Sequence, residues 1–248
     1  MTSIAVSGAG GKLAGPIINA VAAADDLDLV ALFNPNRVGE VMGGVTVTGD
    51  SGAVSADVII ETAHPDVVFD NLAVWRNQAG AAVVGSSGFT PERLDSLGEL
   101  WGDSTPCLVV PNFAIGAVLM MRYAREAARH FEALEVIERH HSTKPDAPSG
   151  TSLATAMGIA KGGGQSASVS GEMVPGARGG LVDGVRVHSL RLPGLISHQE
   201  VAMSNPGELF SLEHMSTSYD SFAAGAILAA RKVSDLPGGV HLGLDTVL

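Results

Sequence analysis

The sequence predicts an α/β protein in which an N-terminal doubly wound parallel sheet is followed by a second, α+β domain built on an open mixed sheet. Two observations support this prediction. Strand-like and helix-like apolar patterns alternate from residue 3 to about residue 113, which is typical of a parallel sheet covered by helices on both faces. Beyond that point the order changes to helix, strand, helix and three further strands, which indicates a separate α+β domain.

The first domain contains a series of apolar segments that we expect to be parallel strands. A strand, a glycine turn and a helix open the chain in SIAVSGAGGKLAGPIINAVAAA, and the strand LDLVALF completes a β-α-β unit. The later strands are ADVIIET, AAVVGSSG and TPCLVVPNF, and the helices between them are PDVVFDNLAVWRNQAG and TPERLDSLGELWG. Residues 1–113 are therefore predicted to form a Rossmann-like domain.

The second domain, residues 114–217, has a different pattern. It begins with the long helix IGAVLMMRYAREAARHF, the strand EALEVIERHH and the helix TSLATAMGIAK. The glycine- and serine-rich stretch at 162–180 is predicted to be a surface or mobile loop. Three strands, VRVHSLRL, HQEVAMSN and LFSLEHMS, then form a meander, and the last helix of the chain is YDSFAAGAILAARKV.

Composition limits the class of protein. A formal net charge of -11 over 248 residues argues against a nucleic-acid partner, because phosphates would be repelled. No apolar run approaches the roughly 18 residues of a membrane helix, and the N-terminus lacks the features of a signal peptide. The one cysteine, Cys107, excludes a disulfide within the chain and is expected to be buried and inert. We therefore expect a soluble, cytoplasmic protein without a membrane partner.

The titratable residues show no metal-binding spacing. Neither Cys-x-x-Cys nor His-x-x-His occurs, so no metal site is predicted. The adjacent charges Glu138 and Arg139 are expected to be solvated, as exposed ion pairs usually are.

The turn between the first strand and the first helix has a dinucleotide-binding pattern. Gly8, Gly11 and Ala14 follow a Gly-x-x-Gly-x-x-Ala spacing, with Gly10 as an additional glycine. Glycine permits a tight turn and lets backbone N–H groups reach a pyrophosphate at the positive end of a helix. The alternative is a βα turn with a purely structural role. The strand before the turn and the strand VALFN after the helix favour the dinucleotide site.

The end of the second strand bears on the choice of dinucleotide. Asn34 stands where an acidic residue would bind the ribose hydroxyls of NAD and repel a 2′-phosphate. Arg37 lies close by and could pair with such a phosphate, although a solvated loop charge explains it equally well. The pattern favours NADPH, or use of both cofactors, over strict use of NADH.

The stretch ERHHSTKPDAPSGTS at 138–152 combines three potential cations with the start of a helix. His140 and His141 are adjacent, so on a strand they would point to opposite faces, and Lys144 follows the strand end. A helix N-cap and first-turn N–H groups that could bind a carboxylate come from Ser149, Gly150 and Thr151. The alternative is a solvated basic turn before an ordinary helix cap. We interpret the stretch as an anion-binding site next to a general acid.

This stretch closely resembles the signature of the 4-hydroxy-tetrahydrodipicolinate reductase family, whose members are also called dihydrodipicolinate reductases. Further segments similar to that family are VSGAGGKLAGPI, VVGSSGF, VPNFAIGAVLMM and YDSFAAGA. The resemblance implies NAD(P)H-dependent reduction of 4-hydroxy-tetrahydrodipicolinate in diaminopimelate and lysine biosynthesis. It also implies a homotetramer joined through the sheets of the second domain, and a return of the chain to the nucleotide domain over residues 218–248.

The resemblance further implies roles for individual residues. His140 would be the general acid that protonates carbon as hydride arrives, and Lys144 would bind a substrate carboxylate and polarise the site. The substrate, a dicarboxylate, would also be bound by His141, Ser149, Gly150 and Thr151. The cofactor pyrophosphate would be held by Gly8, Ala9, Gly10, Gly11, Lys12 and Leu13. The nicotinamide end would be lined by Gly85, Ser86, Ser87, Pro111, Asn112, Phe113 and Ala114.

Two segments depart from the family pattern. ETAHP at 61–65 stands where many members read Asp-Phe-Thr-x-Pro, and it places His64 either near the cofactor ribose or in an unrelated surface loop. Ser86 and Ser87 replace two threonines. These changes leave open a reductase of the same fold that acts on a diverged cyclic dicarboxylate or imine. A nucleotide-sensing module without catalysis is a further alternative, but such a module has no need of the histidine and lysine of the signature stretch.

Overall fold

The computed structural model of the chain describes residues 1–168 and 171–248. It contains two compact units. The first comprises Met1–Ile115 and Tyr219–Leu248, and the second comprises Gly116–Ser218. The chain therefore leaves the first unit once and returns to it for its last helix. No helix in the described part of the chain has both the length and the apolar character needed to span a membrane.

The first unit is built on an eight-stranded sheet. Its strands are β1 (Thr2–Ser7), β2 (Leu27–Phe33), β3 (Val41–Met42), β4 (Val45–Thr48), β5 (Ala56–Glu61), β6 (Ala79–Val84), β7 (Pro106–Val109) and β13 (Gly239–Leu242). Its helices are α1 (Ala14–Ala22), α2 (Val68–Trp75), α3 (Pro91–Trp101) and α6 (Asp220–Lys232). The strands lie in the order β13-β7-β6-β5-β1-β2-β4-β3, and all neighbours run parallel except β3 and β4.

Helices cover both faces of this sheet. α2 and α3 bury Trp75 and Trp101 against one face, while α1 and α6 contact each other and strands on the other face. The strands are continuous apolar runs because both faces are covered, and Ile4, Ala5 and Val6 of β1 are all fully buried. The predicted doubly wound, Rossmann-like sheet is confirmed.

The second unit contains a five-stranded mixed sheet and two helices. Its strands are β8 (Ala133–His140), β9 (Gly180–Val182), β10 (Val185–Arg191), β11 (Ser197–Asn205) and β12 (Glu208–Ser216). The helices are α4 (Ile115–Ala127), which begins at the boundary of the two units, and α5 (Gly150–Lys161). The strand order is β12-β11-β8-β10-β9, with β8 and β10 parallel and the other neighbours antiparallel. This arrangement confirms the predicted mixed sheet.

Alternation along β8 distinguishes the two faces of this sheet. Leu134 and Val136 are buried in a core with residues of α4 and α5, and we call this side the covered face. The intervening residues Glu135, Ile137 and Arg139 point the other way, to what we call the open face, and each is only partly buried. Side chains at the end of β8 therefore reach either the helices or the open face, depending on whether their residue number is even or odd.

The sequence analysis missed four short strands, β3, β4, β9 and β13. Each has between two and four residues, which is too short to show the alternation that identifies a strand. In the stretch at 162–180, the described residues 162–168 and 171–179 form neither helix nor strand, and β9 begins at Gly180. The remainder of the predicted loop, residues 169–170, lies outside the described part of the chain.

Cys107 is buried in β7, as expected from the sequence. Burial raises the pKa of its thiol to about 12, so the thiolate form is scarce at neutral pH. The prediction of a buried cysteine is confirmed.

Close packing of α6 depends on Gly225. A Cβ atom at this position would lie 1.9 Å from the carbonyl oxygen of Phe113, a backbone atom that can move only if the chain moves. We expect Gly225→Ala to lower the free energy of unfolding by about 2 kcal/mol, because overpacking outweighs the gain in helix propensity. The measurement is urea denaturation followed by circular dichroism.

The matched control is Gly98→Ala in α3, where an added Cβ atom meets nothing within 4 Å. This variant should raise the free energy of unfolding by up to about 1 kcal/mol, since alanine is the better helix former. Equal stability of the two variants would contradict the close approach of α6 to the carbonyl oxygen of Phe113.

Candidate active site

The glycine turn of the first unit has the backbone geometry of a phosphate-binding loop. It connects β1 to α1, and Gly8 and Gly10 have φ angles of +84° and +83°, a region that other residues rarely adopt. A Cβ atom on Gly8 would also lie 2.9 Å from the backbone nitrogen of Ala63. Glycine is therefore needed here both for the turn and for the approach of a second backbone. The turn lies just before the N-terminus of α1, where the helix dipole favours an anion.

A cavity of about 580 Å³ opens beside this turn, a volume typical of a small-molecule site. Six residues predicted for the cofactor line it, namely Gly8, Gly10, Gly11, Asn34, Arg37 and His64. The sequence analysis missed the rest of the lining, which is Ser7, Phe33, Pro35, Asn36, Thr62, Ala63, Val67, Asp70 and Asn71. Most of these residues follow β2 or β5, which are the two neighbours of β1 in the sheet. They could have been predicted only from the order of the strands in the sheet.

Asn34 joins two turns in the wall of this cavity. Its side-chain nitrogen donates a 2.6 Å hydrogen bond to the carbonyl oxygen of Ala9, in the glycine turn. Its side-chain oxygen accepts a 2.9 Å hydrogen bond from the backbone nitrogen of Asn36. The turn after β1 and the turn after β2 are thereby held together.

Charged side chains of both signs line the cavity. Arg37 lies across the glycine turn, since a Cβ atom on Gly10 would be 2.4 Å from its Cδ, and its guanidinium contacts both carboxylate oxygens of Glu40 at 3.1 and 3.2 Å. His64 is exposed, and Asp70 of α2 adds a carboxylate. Arg37 and His64 could therefore attract a phosphate, and Asp70 could bind ribose hydroxyls.

A buried carboxylate supports one wall of the cavity. Glu61, the last residue of β5, is fully buried and accepts hydrogen bonds of 2.7 Å from the indole of Trp75 and 2.7 Å from the backbone of Ala63. The amide of Asn71 donates a third bond of 3.1 Å. Burial raises the pKa of Glu61, and these donors act against that rise. Because the donors belong to α2 and to the loop after β5, Glu61 fixes both around the cavity.

The residues predicted for the nicotinamide end lie on the turns after β6 and β7. A Cβ atom on Gly85 would be 2.3 Å from the ring of Phe113 and 3.4 Å from the side chain of Leu13, so these three residues are in close contact. Ser86 is buried, and its hydroxyl donates a 2.6 Å hydrogen bond to the carbonyl oxygen of Ala63. The other predicted cofactor residues that do not line the cavity are Ala9, Lys12, Ser87, Pro111, Asn112 and Ala114.

In the second unit, the signature stretch begins at the end of β8. His140 is the last residue of the strand and is 8% exposed on the covered face. His141 lies beyond the strand, with Nδ1 2.8 Å from the hydroxyl oxygen of Thr143. The ammonium of Lys144 pairs with the carboxylate of Asp146 at 2.8 Å. The two adjacent histidines therefore occupy different surroundings, one buried and one in the loop.

Ser149 caps α5, as predicted. Its hydroxyl oxygen accepts a 3.2 Å hydrogen bond from the backbone nitrogen of Ser152. A buried network continues from there, because Ser152 donates to the side-chain oxygen of Gln199 at 2.7 Å and Gln199 donates to Thr155 at 2.7 Å. The network ties the first turn of α5 to β11. The first two residues of this helix are the predicted carboxylate donors Gly150 and Thr151.

A buried carboxylate contacts His140. Glu138 lies two residues earlier on the same face of β8, is fully buried, and is hydrogen-bonded through Oε2 to Nδ1 of His140. Arg191, the last residue of β10, places Nη1 2.9 and 3.0 Å from the two oxygens of Glu138. The prediction of a solvated Glu138 is wrong, because strand alternation turns it toward the helices. Arg139 points to the open face and pairs with Glu200 at 3.3 Å.

The charges around the end of β8 are balanced in pairs, Arg191 with Glu138 and Lys144 with Asp146. Burial lowers the pKa of His140; the hydrogen bond and charge of Glu138 oppose this effect, and the charges of Lys144 and Arg191 reinforce it. For Asp146, partial burial acts to raise the pKa, but the hydrogen bond and charge of Lys144 outweigh it and the pKa is lowered. Two cations, Lys144 and Arg191, therefore lie near His140, and each is paired with a carboxylate. Across residues 1–168 and 171–248, no group of three or more histidine, cysteine or acidic side chains could hold a metal ion.

Comparisons with known proteins identify the family. The family model described as "Dihydrodipicolinate reductase, N-terminus" matches residues 2–113, and the model for the C-terminus of the same enzyme matches residues 116–248. The chain belongs to the dihydrodipicolinate reductase family. It is 45% identical to the 4-hydroxy-tetrahydrodipicolinate reductase of Nocardia farcinica over 253 residues, and 42% identical to that of Mycolicibacterium gilvum over 251 residues. Each alignment covers 99% of this chain and 98% of the relative.

A solved dihydrodipicolinate reductase has the same fold. The dipicolinate-bound enzyme from Paenisporosarcina sp. TG-14 superposes with a TM-score of 0.87 at 33% identity, covering 100% of both chains. The amine dehydrogenase of Mycobacterium smegmatis, at 12% identity and a TM-score of 0.64, shares the fold alone. The resemblance to dihydrodipicolinate reductases noted in the sequence is confirmed.

Proposed function

We propose that this chain reduces 4-hydroxy-tetrahydrodipicolinate to tetrahydrodipicolinate with NAD(P)H, in the biosynthesis of diaminopimelate and lysine. The observation that supports this most directly is the group at the end of β8, where a buried histidine, a lysine and a capped helix start occur together. Relatives with this activity in their names match the chain along its whole length. The similar structure from Paenisporosarcina holds dipicolinate, a cyclic dicarboxylate.

The first unit would hold the dinucleotide. Residues 8–13 would bind the pyrophosphate through backbone N–H groups before α1, and the positive φ angles of Gly8 and Gly10 fit that task. The nicotinamide end would be lined by residues 85–87 and 111–114. When bound, the cofactor supplies the hydride. The chain's own contribution is to position the cofactor and to shield its reactive end, for which the buried Ser86 provides one wall.

The second unit would bind the substrate and deliver the proton. Lys144 and the first-turn N–H groups of α5 would hold a carboxylate, since both the ammonium and the helix N-terminus favour an anion. His140 would donate a proton to the ring carbon next to the one that receives the hydride, acting as the general acid. The residues that would complete the carboxylate site are His141, Ser149, Gly150 and Thr151.

A second candidate function is reduction of a diverged cyclic dicarboxylate or imine by the same fold. It is motivated by the departures from the family pattern in ETAHP at 61–65 and at Ser86 and Ser87. A nucleotide sensor is the third candidate, and it would use the cavity alone. An assay of NADPH oxidation with freshly generated 4-hydroxy-tetrahydrodipicolinate separates the proposed function from both alternatives. Turnover supports the proposal, whereas cofactor binding without turnover of this substrate would overturn it.

The roles proposed for His140 and Lys144 predict different kinetic effects. His140→Ala should lower kcat by ~10²–10⁴ with a smaller change in KM, because the histidine acts in the transition state. Lys144→Ala should raise KM as well as lower kcat, because it loses a charge-assisted contact with the substrate. Steady-state kinetics measure kcat and KM, and a fluorescence titration with NADPH measures cofactor affinity.

Cofactor affinity should be unchanged in both variants, and Lys161→Ala, in the last turn of α5, should keep parental kinetics as the control. The anion-site assignment fails if His140→Ala and Lys144→Ala both retain near-parental kcat/KM.

We further propose that NADPH is used at least as well as NADH. Position 34 has no carboxylate, and Arg37 lies at the glycine turn, where it can pair with a 2′-phosphate. Arg37→Ala should therefore raise KM for NADPH about tenfold, which corresponds to ~1.4 kcal/mol, and leave KM for NADH nearly unchanged. Steady-state kinetics with both cofactors measure this.

The control for this change is Arg231→Ala, which removes an arginine of the same unit that pairs with Asp26 outside the cavity. A parental preference for NADH of more than about tenfold in kcat/KM would contradict the proposal.

The open face of the second unit is the surface through which we propose that the chain forms a homotetramer. Leu209 and Met215 of β12 are 73% and 56% exposed. The pairing register places both on the face to which Arg139 points, with Met215 opposite His198 and Leu209 opposite Ser204. A sheet face that exposes apolar side chains is favourably covered by a partner. We also propose a cytoplasmic location, since the single cysteine is a buried free thiol that needs no oxidising compartment.

Met215→Glu should reduce the tetramer to smaller species, because it buries a charge against the partner. Size-exclusion chromatography with light scattering measures the mass. Met157→Glu, on α5 and 42% exposed, is the matched control and should keep the parental mass. An unchanged tetramer in Met215→Glu, or a monomeric parent, would exclude this face as the interface.

A further inference from the structure

Glu138 has no role in the proposed function so far, although it is fully buried and contacts His140. We propose that Glu138 is the positioning residue for this histidine, and that Arg191 holds Glu138 in place. The inference rests on the proposed role of His140 as general acid. It assigns a part in the reaction to two side chains, Glu138 and Arg191, for which the family resemblance gave no role.

The first step of the argument is the choice of nitrogen. Glu138 and His140 are two residues apart on one strand, so their side chains project from the same face. The carboxylate is bonded to Nδ1 of the imidazole. A carboxylate accepts hydrogen bonds only, so Nδ1 must carry its proton in both charge states of the ring. Nε2 is then the nitrogen that gains and loses the proton, and its direction is fixed by the strand.

The second step concerns the support for Glu138. A buried carboxylate needs a partner, and Arg191 supplies it by contacting both oxygens at 2.9 and 3.0 Å. This contact depends on the parallel pairing of β8 with β10, which sets Arg191 opposite His140. The same guanidinium donates through Nη2 to the backbone oxygen of Asp146, in the loop that contains Lys144. One arginine therefore joins the histidine support to the loop of the anion site.

The third step is electrostatic. The charged groups that face His140 are Glu138 from its own strand, Arg191 from β10 and Lys144 from the following loop. Glu138 raises the pKa of His140, whereas burial and the two cations lower it. Removal of the negative charge therefore lowers this pKa further. The protonated imidazole, which is the form that can act as an acid, is then lost at a lower pH.

The direct test is Glu138→Gln, which keeps an acceptor for Nδ1 and removes the charge. We expect kcat to fall about tenfold, and about 100-fold in Glu138→Ala, with KM within about threefold of the parent. In Glu138→Gln, the decline of kcat/KM at high pH should begin at a lower pH than in the parent. A role in folding alone would change the yield or stability of the protein but not this pH profile.

A spectroscopic readout separates this inference from the proposed function. In the free protein labelled with ¹⁵N-histidine, neutral His140 should carry its proton on Nδ1, and Glu138→Gln should lower the pKa measured by NMR titration. This result does not require turnover, so it remains informative if the reductase assay fails. Absence of activity in the parent would overturn the function, whereas an unchanged His140 pKa in Glu138→Gln would overturn the positioning role.

Two further variants complete the test. Glu138→Gln combined with Arg191→Met removes the ion pair without leaving a buried cation unpaired. This double variant should show the same loss in kcat, but the pH at which kcat/KM declines should shift less than in Glu138→Gln alone. Glu135→Gln is the matched control, because Glu135 is a carboxylate on the same strand that contacts His188 at 2.6 Å on the open face. This control should keep the parental kcat and His140 pKa. Parental kcat in both Glu138 variants would refute the proposal.

Discussion

The ion pair between Glu138 and Arg191 is the constraint on which the arrangement of the second unit depends. A carboxylate without any solvent exposure is tolerated only when its oxygens have partners. The parallel pairing of β8 and β10 provides one partner, and the alternation of β8 provides another in His140. Parallel strands need a crossover, here through α5, and that crossover brings a helix start close to the end of β8. The sheet topology, the buried charge and the candidate anion site therefore depend on one another.

Both units contain a buried glutamate beside their candidate site. In each, a parallel strand ends in a buried glutamate, Glu61 at the end of β5 and Glu138 near the end of β8. In each, the donors to that carboxylate belong to the segments that surround the candidate site: Trp75 and Asn71 in the first unit, and His140 and Arg191 in the second. Several donors on one buried carboxylate fix the positions of the segments to which those donors belong. Ligand-binding loops gain a fixed geometry in this way without being buried themselves.

The parts of this protein that could be predicted from sequence are those with local causes. The alternation of strand and helix patterns predicted the doubly wound sheet. The local sequence at the start of α5 predicted that Ser149 caps this helix. Glu138 could have been found as well, since a period of two places it with His140. Arg191 and Gln199 could not, because they reach the site only through pairing of β10 and β11 with β8. The same limit applies to the cavity residues that follow β5, because no local pattern reveals which strands are neighbours.

The hydrogen bond from Asn34 to the carbonyl oxygen of Ala9 has a consequence for how cofactor selectivity can evolve. In nucleotide-binding folds this position selects between the two nicotinamide cofactors through the presence or absence of an acid. Here the amide nitrogen at that position also anchors the glycine turn, at 2.6 Å. An aspartate has the same shape but lacks the donor, and it would set a negative charge against a carbonyl oxygen. An acid at residue 34 would therefore remove this anchor, and a lineage that placed one there would first need another donor to hold the glycine turn.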